Sequence, residues 1–198
     1  TYAVPSVRRK ITPQMPAAST APYTPEPTLA MEHYEHILSV IQKMVLVMER
    51  SRQAFKNMEE EHLRDHFLVQ LNGHYDSEAT GETFNGEGKT DILIRHEGKN
   101  LFIAECKFWG GPKSLTDAID QLLSYATWRD GKLALVVFNK RKDFSAVLAK
   151  IPETVKEHPN HKRQLDYDPE TGFRFIVHHP DDVNRELTLT VLAFEVPT

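Results

Sequence analysis

Apolar residues along the chain recur with two different periods, and each change of period marks a new element. From Met31 onward Ile37, Ile41, Met44, Val45 and Met48 return at intervals of three and four, with no proline before Pro112, which predicts one long helix or two in succession. A second helical stretch, residues 58–72, sets Leu63, Phe67, Leu68 and Leu71 on one face and stops at Asn72-Gly73, a helix-end signal. Short strand patterns follow at 79–84, 90–95 and 100–108, the last two joined by the hairpin connection His96-Glu97-Gly98-Lys99. After Gly110-Gly111-Pro112, residues 113–129 return to helical spacing through Leu115, Ile119, Leu122, Leu123 and Ala126. The run 133–138 reads as a buried strand, 144–156 as a helix, and 173–178 and 186–196 as strands, the last alternating through Leu187, Leu189, Val191 and Ala193. This order predicts an α/β fold in which a mixed central sheet is flanked by helices.

Composition adds boundaries. Residues 1–28 hold six of the twelve prolines among Ala, Ser and Thr, a mixture that buries no core and predicts a Pro-rich linker or tail. Residues 29–57 then read as an N-terminal helical segment and 58–198 as the main domain. Arg8-Arg9-Lys10 precedes no apolar run, so a signal peptide is not expected, and the start at Thr1 leaves room for an upstream domain of a longer chain. Across 198 residues, 40% hydrophobic and 26% charged content gives enough apolar side chain for a sizeable core. Apolar runs end after a handful of residues, and with a mean hydropathy of -0.47 no membrane association is expected. A single cysteine, Cys106, excludes an internal disulfide and a zinc ribbon and suits a reducing, cytoplasmic setting. Twenty-four Lys and Arg against 28 Asp and Glu give a net charge of -4, so any nucleic-acid contact has to come from a local patch.

Two strands place charges where apolar residues would bury more surface. Gly88-Lys89-Thr90-Asp91 leads into Ile92-Leu93-Ile94, and Leu101-Phe102-Ile103-Ala104 leads into Glu105-Cys106-Lys107. Glu105 and Lys107 are two apart, so they share one face of a strand while Ala104 and Cys106 take the other. Asp91 stands beside Glu105 only if the hairpin is centred on Gly98 or carries a compensating bulge. Two converging carboxylates are hard oxygen ligands suited to Mg²⁺ or Mn²⁺, and a neighbouring lysine serves a phosphate or a metal-held water.

At these residues the sequence resembles the PD-(D/E)xK nuclease superfamily, with its restriction-endonuclease-like, three-layer core. The match is Asp91, thirteen intervening residues and Glu105-Cys106-Lys107 at a strand end, then a helix and an apolar strand, over roughly residues 58–140. Thr90 stands where the family pattern has Pro. The resemblance implies a Mg²⁺-dependent phosphodiester hydrolase in which Asp91 and Glu105 hold the metal, the Cys106 backbone carbonyl adds an oxygen and Lys107 acts near the attacking water. Many members add a glutamate from the first core helix; of Glu59, Glu60 and Glu61, helical spacing to Leu63 and Phe67 selects Glu60, whose alternative is a solvated helix start. Gln121 and Tyr125, four apart on the later helix, resemble the Gln-three-residues-Tyr signature of exonuclease-type members, against the plainer reading of a polar helix border. Trp109 near the rim is a candidate for stacking on bases, and Trp128 for the same or for packing. The implied partner is nucleic acid, DNA ahead of RNA, with no membrane role, a homodimer allowed, and the chain acting as the effector part of a larger prokaryotic defence or repair protein. The rival expectations are a non-cleaving nucleic-acid-binding module of the same fold and a protein-interaction module in which Glu105 and Lys107 form a simple ion pair.

Other signals are weaker. Gly86-Glu87-Gly88-Lys89-Thr90 ends like a phosphate loop, but Thr83 occupies the first glycine position and a strand follows, which leaves Lys89 as a phosphate contact or a solvated loop lysine. His62 and His66 have metal-ligand spacing, but Leu63 stands where the HExxH pattern needs glutamate. His158, His161, Lys162 and Arg163 read as a small basic loop, and His178-His179 as a strand end. Cys106 reads as a small buried apolar residue.

Overall fold

The computed structural model describes residues 31–74, 79–80, 83–85, 88–96, 99–127, 130–140 and 142–196; the Pro-rich stretch and Trp128 lie outside them. Helix α1 (Met31–Arg50) buries Tyr34, Ile37, Leu38, Ile41, Val45 and Met48 along one stripe. The one-turn α2 (Arg52–Phe55) and then α3 (Glu60–His74) follow, with Leu63, Arg64, Phe67 and Leu71 buried on α3. The hairpin region consists of β1 (Ala79–Thr80), β2 (Thr83–Asn85), β3 (Gly88–Thr90), β4 (Ile92–His96) and β5 (Lys99–Phe108). Then come α4 (Pro112–Tyr125), β6 (Lys132–Asn139), α5 (Phe144–Glu157), β7 (His161–Leu165), β8 (Gly172–His179) and β9 (Asp182–Glu195).

Seven strands form one mixed sheet in the order β1-β4-β5-β6-β9-β8-β7, with β2 and β3 paired as a separate ribbon. β5, β6 and β9 run parallel, β6 with both neighbours, and antiparallel pairs flank this centre on both sides. All eight residues of β6 are buried, as a central strand covered on both faces requires. On one face α1 and α3 pack over Ile92, Ile94, Phe102, Ala104, Cys106, Ala134, Val136 and Phe138. On the other, α4 and α5 cover Leu93, Ile103, Leu133, Leu135, Val137 and Val191. The fold is therefore α/β with an open mixed sheet between two sets of helices. Among the described residues no helix is long and apolar enough to cross a membrane.

Four local expectations need correction. The strand predicted at 79–84 is two pieces in different sheets, because β1 pairs with β4 while β2 pairs with β3. The strand predicted at 90–95 breaks at Asp91, where the chain leaves the ribbon and enters the main sheet. Helix 113–129 ends at Tyr125, since Ala126 turns extended and Asp130 Oδ2 takes the Thr127 N–H at 2.6 Å. The basic loop around His161 is an edge strand, β7, whose Arg163 makes a two-pronged pair with Glu186 at 2.8 Å. Its charges face water, as charged residues on an exposed edge commonly do, and so hide the alternation that marks a half-buried strand.

Candidate functional site

The site lies where β3, β4 and β5 meet the start of α3 and the middle of α4. Register delivers its first pair. Arg95 pairs with Asn100 but its neighbour Ile94 pairs with Phe102, so β5 has one extra residue, Leu101, at a bulge. This shift carries the pairing to Ile92↔Ala104, and Asp91 comes next beside Glu105, the compensating bulge that the sequence required. At Asp91 the backbone bends, and the carboxylate turns onto β5: Oδ2 accepts the N–H of Cys106 at 2.7 Å. In a strand, N–H and C=O of one residue point to the same edge, so the Cys106 carbonyl also faces the Asp91 edge.

Glu105 is 2% exposed, held by α4 through Gln121, whose Nε2 donates to Glu105 Oε1 at 2.6 Å and to the Tyr125 hydroxyl at 2.8 Å. Its other oxygen, Oε2, is buried and has no hydrogen-bond partner among the described residues. Burial, and then the negative charge of Asp91, push the Glu105 carboxyl up to about 8; Lys107 pulls the other way and Glu60 adds to the rise. Lys107 is half-buried at the strand end, with Nζ 3.8 Å from Glu60 Oε1. Glu60, the first residue of α3, also accepts the Phe108 N–H, so its two oxygens tie α3 to the end of β5. Beside Asp91 stands Arg64, a residue the sequence reading missed: its Nη1 lies 3.6 Å from Asp91 Oδ1, while its Nη2 donates to the neighbouring Asp65 at 3.1 Å. A signal existed, since Glu60, Leu63, Arg64, Phe67 and Leu71 follow one helical stripe and Arg64 is the cation on it.

The remaining candidates fall as follows. Trp109 is half-buried, packs on the α4-side core and donates its backbone N–H to the Phe138 carbonyl at 2.8 Å. It borders a small crevice formed with Lys107, Gly110, Ser114 and Ala118. Lys89 lies on β3 beside this region, and its side chain lies outside the described ones. Cys106 faces away into the α1/α3 core, where burial and Asp91 push its thiol well above the ordinary range. His62 is exposed and His66 sets its ring edge to face against Phe55, centroids 5.0 Å apart. Unseen in the sequence, Lys140 at the end of β6 lies over the Phe108 ring at 3.9 Å and donates to the Met58 carbonyl at 2.9 Å, bracing the turn into Glu60.

The donor set suits a hard divalent cation in one specific way. Asp91, Oε2 of Glu105 and the Cys106 carbonyl offer oxygen, and the negative charge gathered there, which helps push the Glu105 carboxyl up, is what a cation would relieve. Among the described residues no group of three His, Cys, Asp or Glu side chains is placed to hold a metal ion. A two-carboxylate site leaves other coordination positions to water and phosphate, which is how Mg²⁺ is commonly held. The chain matches no known protein-family model, no curated protein and no solved structure.

Proposed function

We propose that this chain is a metal-dependent nuclease with a restriction-endonuclease-like core, hydrolysing phosphodiester bonds of nucleic acid, DNA ahead of RNA. The observation that carries the reading is Glu105: a buried carboxyl beside Asp91, pushed up to about 8, with one oxygen left without a hydrogen-bond partner among the described residues. Stability alone gives no reason to keep a carboxyl there, and perturbed groups of this kind gather at functional sites. Asp91 and Glu105 would hold Mg²⁺ or Mn²⁺, with the Cys106 carbonyl as a third oxygen. The bound ion supplies Lewis acidity toward a phosphate and a more acidic water. Gln121 fixes Glu105 Oε1, which leaves Oε2 as the oxygen directed to the ligand. Lys107, restrained by Glu60, supplies positive charge at the mouth where charge develops on phosphate. A cytoplasmic setting and an upstream domain in a longer chain belong to the same reading.

A second reading, a module of this fold that binds nucleic acid without cutting it, is favoured by one observation: Arg64 stands against Asp91 where a cation would otherwise lie close. Cleavage of plasmid DNA, linear DNA and structured RNA, each with Mg²⁺, Mn²⁺ or EDTA, decides between them. Metal-dependent products are expected. Cleavage undiminished in EDTA overturns the metal mechanism, and binding without products under any condition establishes the second reading.

A further inference from the structure

On the opposite face of the sheet, beneath the first turns of α1, three buried cationic side chains gather. Lys132 opens β6 and pairs with Thr188 of β9, two residues before Thr190, which pairs with Arg174 of β8. Lys132 alternates in phase with Ala134 and Val136 of the α1-side core, and Arg174 reaches Glu35 on α1 and the Thr190 hydroxyl, so both point to that face. Arg185 joins from the side, donating to the Asp130 carbonyl at 3.2 Å. Lys132 is 6% exposed, Arg174 8% and Arg185 8%. Arg174 is compensated: Glu35 grips it with both oxygens and it stacks over Tyr167 at 4.1 Å. Among the described residues no carboxylate is paired with Lys132.

We infer that this corner binds a small oxyanion of the phosphate class, which Lys132 holds with Arg174 and Arg185 beside it. An ammonium 6% exposed with two guanidiniums beside it is costly unless it loses its proton or gains an anion. Burial, then Arg174 and Arg185, push the Lys132 ammonium down, which marks the missing counter-charge without supplying it. A doubly charged tetrahedral anion accepts several hydrogen bonds at once and so suits a place where cations converge and Thr188 adds a hydroxyl. The site does not depend on the nuclease reading: Glu105 pairs with Leu135, three positions further along β6 from Lys132, and its side chain is on the α4 face.

The test uses the full chain and inorganic phosphate, with sodium chloride at matched ionic strength as reference. Phosphate at 10 mM is expected to raise Tm by about 3 °C and to give a calorimetric binding isotherm. Lys132→Met, which keeps the stem and removes the charge, should abolish both while melting no lower than wild type in chloride. No gain over chloride, or an equal gain in Lys132→Met, overturns the site. Should that variant not fold, wild-type protein treated with an amine-acylating reagent decides: phosphate should slow modification of Lys132 by about tenfold, and unchanged modification overturns the inference. A parallel arm with adenosine monophosphate separates sources. An equal gain assigns the site to phosphomonoesters and a gain from inorganic phosphate alone to the free ion, each in support; a gain from neither overturns it.

Discussion

At Glu105 the fold holds a carboxyl in the state that favours its proton, so stability should depend on pH with a definite sign. The native group titrates near 8 and the free one near 4.5. Its contribution is therefore complete below about pH 4.5 and lost as pH rises through about 8. Glu105→Gln keeps the acceptor for Gln121 and removes the charge; in metal-free buffer it should raise Tm by several degrees at pH 8.5 and leave it unchanged at pH 4. Mn²⁺ should reverse the order at pH 8.5 by stabilising wild type alone. Melting curves for the two proteins that stay parallel from pH 4 to 8.5 would refute this account. Lys107 makes the complementary case, since its ammonium is half-exposed and lies 3.8 Å from Glu60 Oε1. Lys107→Ala should cost little stability and lower single-turnover cleavage by roughly 10² or more, while Mn²⁺ calorimetry stays unchanged; wild-type cleavage in a folded variant removes its assigned role. These residues were legible because a charge interrupting an apolar strand stands out against the period. Arg64 was passed over because a basic residue on a helix is ordinarily solvated; its place on the apolar stripe of α3 was the signal, and tertiary packing sets it against Asp91.

Among elements, β6, α5 and the site strand β5 were readable to within a residue or two, whereas the break at Asp91 and the end of α4 were not. Pairing partners, not local composition, cut 79–84 and 90–95 into ribbon and sheet: β2 pairs with the nearby β3, while Ala79 pairs with Ile94 and Ile92 with Ala104. The turn from β5 into α4 illustrates the stakes at this scale. Gly111 precedes α4 at φ 106°, where an added Cβ would touch nothing within 4 Å but the backbone conformation itself disfavours any L side chain. Gly111→Ala should therefore destabilise by roughly 1 kcal/mol or more through conformation alone. Because the turn aims α4, and α4 carries Gln121, the same variant should weaken Mn²⁺ binding measured by calorimetry; a loss of stability with unchanged affinity would confine the turn to a purely structural role.

For the molecule as a whole, the expected division at residues 29–57 and 58–198 runs through one shared core. Tyr34, Ile37, Leu38 and Ile41 of α1 pack with Phe102, Ala134 and Val136 of the sheet. The Tyr34 hydroxyl also donates to the Leu133 carbonyl at 2.6 Å and shares a bond with Thr190 at 2.7 Å. Removing residues 1–57 should abolish cooperative unfolding, because several fully buried side chains leave at once, each worth roughly 2 kcal/mol or more. Removing residues 1–28, whose composition offers no core, should leave Tm nearly unchanged. Circular dichroism melts of the two truncations check both statements, and equal behaviour would contradict the shared core.

The bulge at Leu101 makes this hairpin a length gauge, and that shapes which insertions and deletions it tolerates. With Leu101 removed, Arg95↔Asn100 and Ile94↔Phe102 become consecutive pairs, so every residue from Phe102 to Lys107 keeps both its partner and its face. Loss of Ile103 instead draws the chain beyond it back by one position, which turns Glu105 toward the α1 core and Cys106 toward α4. Two deletions two residues apart thus have opposite outcomes: a folded protein with an intact site from the first, and an inverted strand with a carboxylate in the wrong core from the second. In a lineage of such chains, length variation in β5 would be confined to the loop side of Phe102.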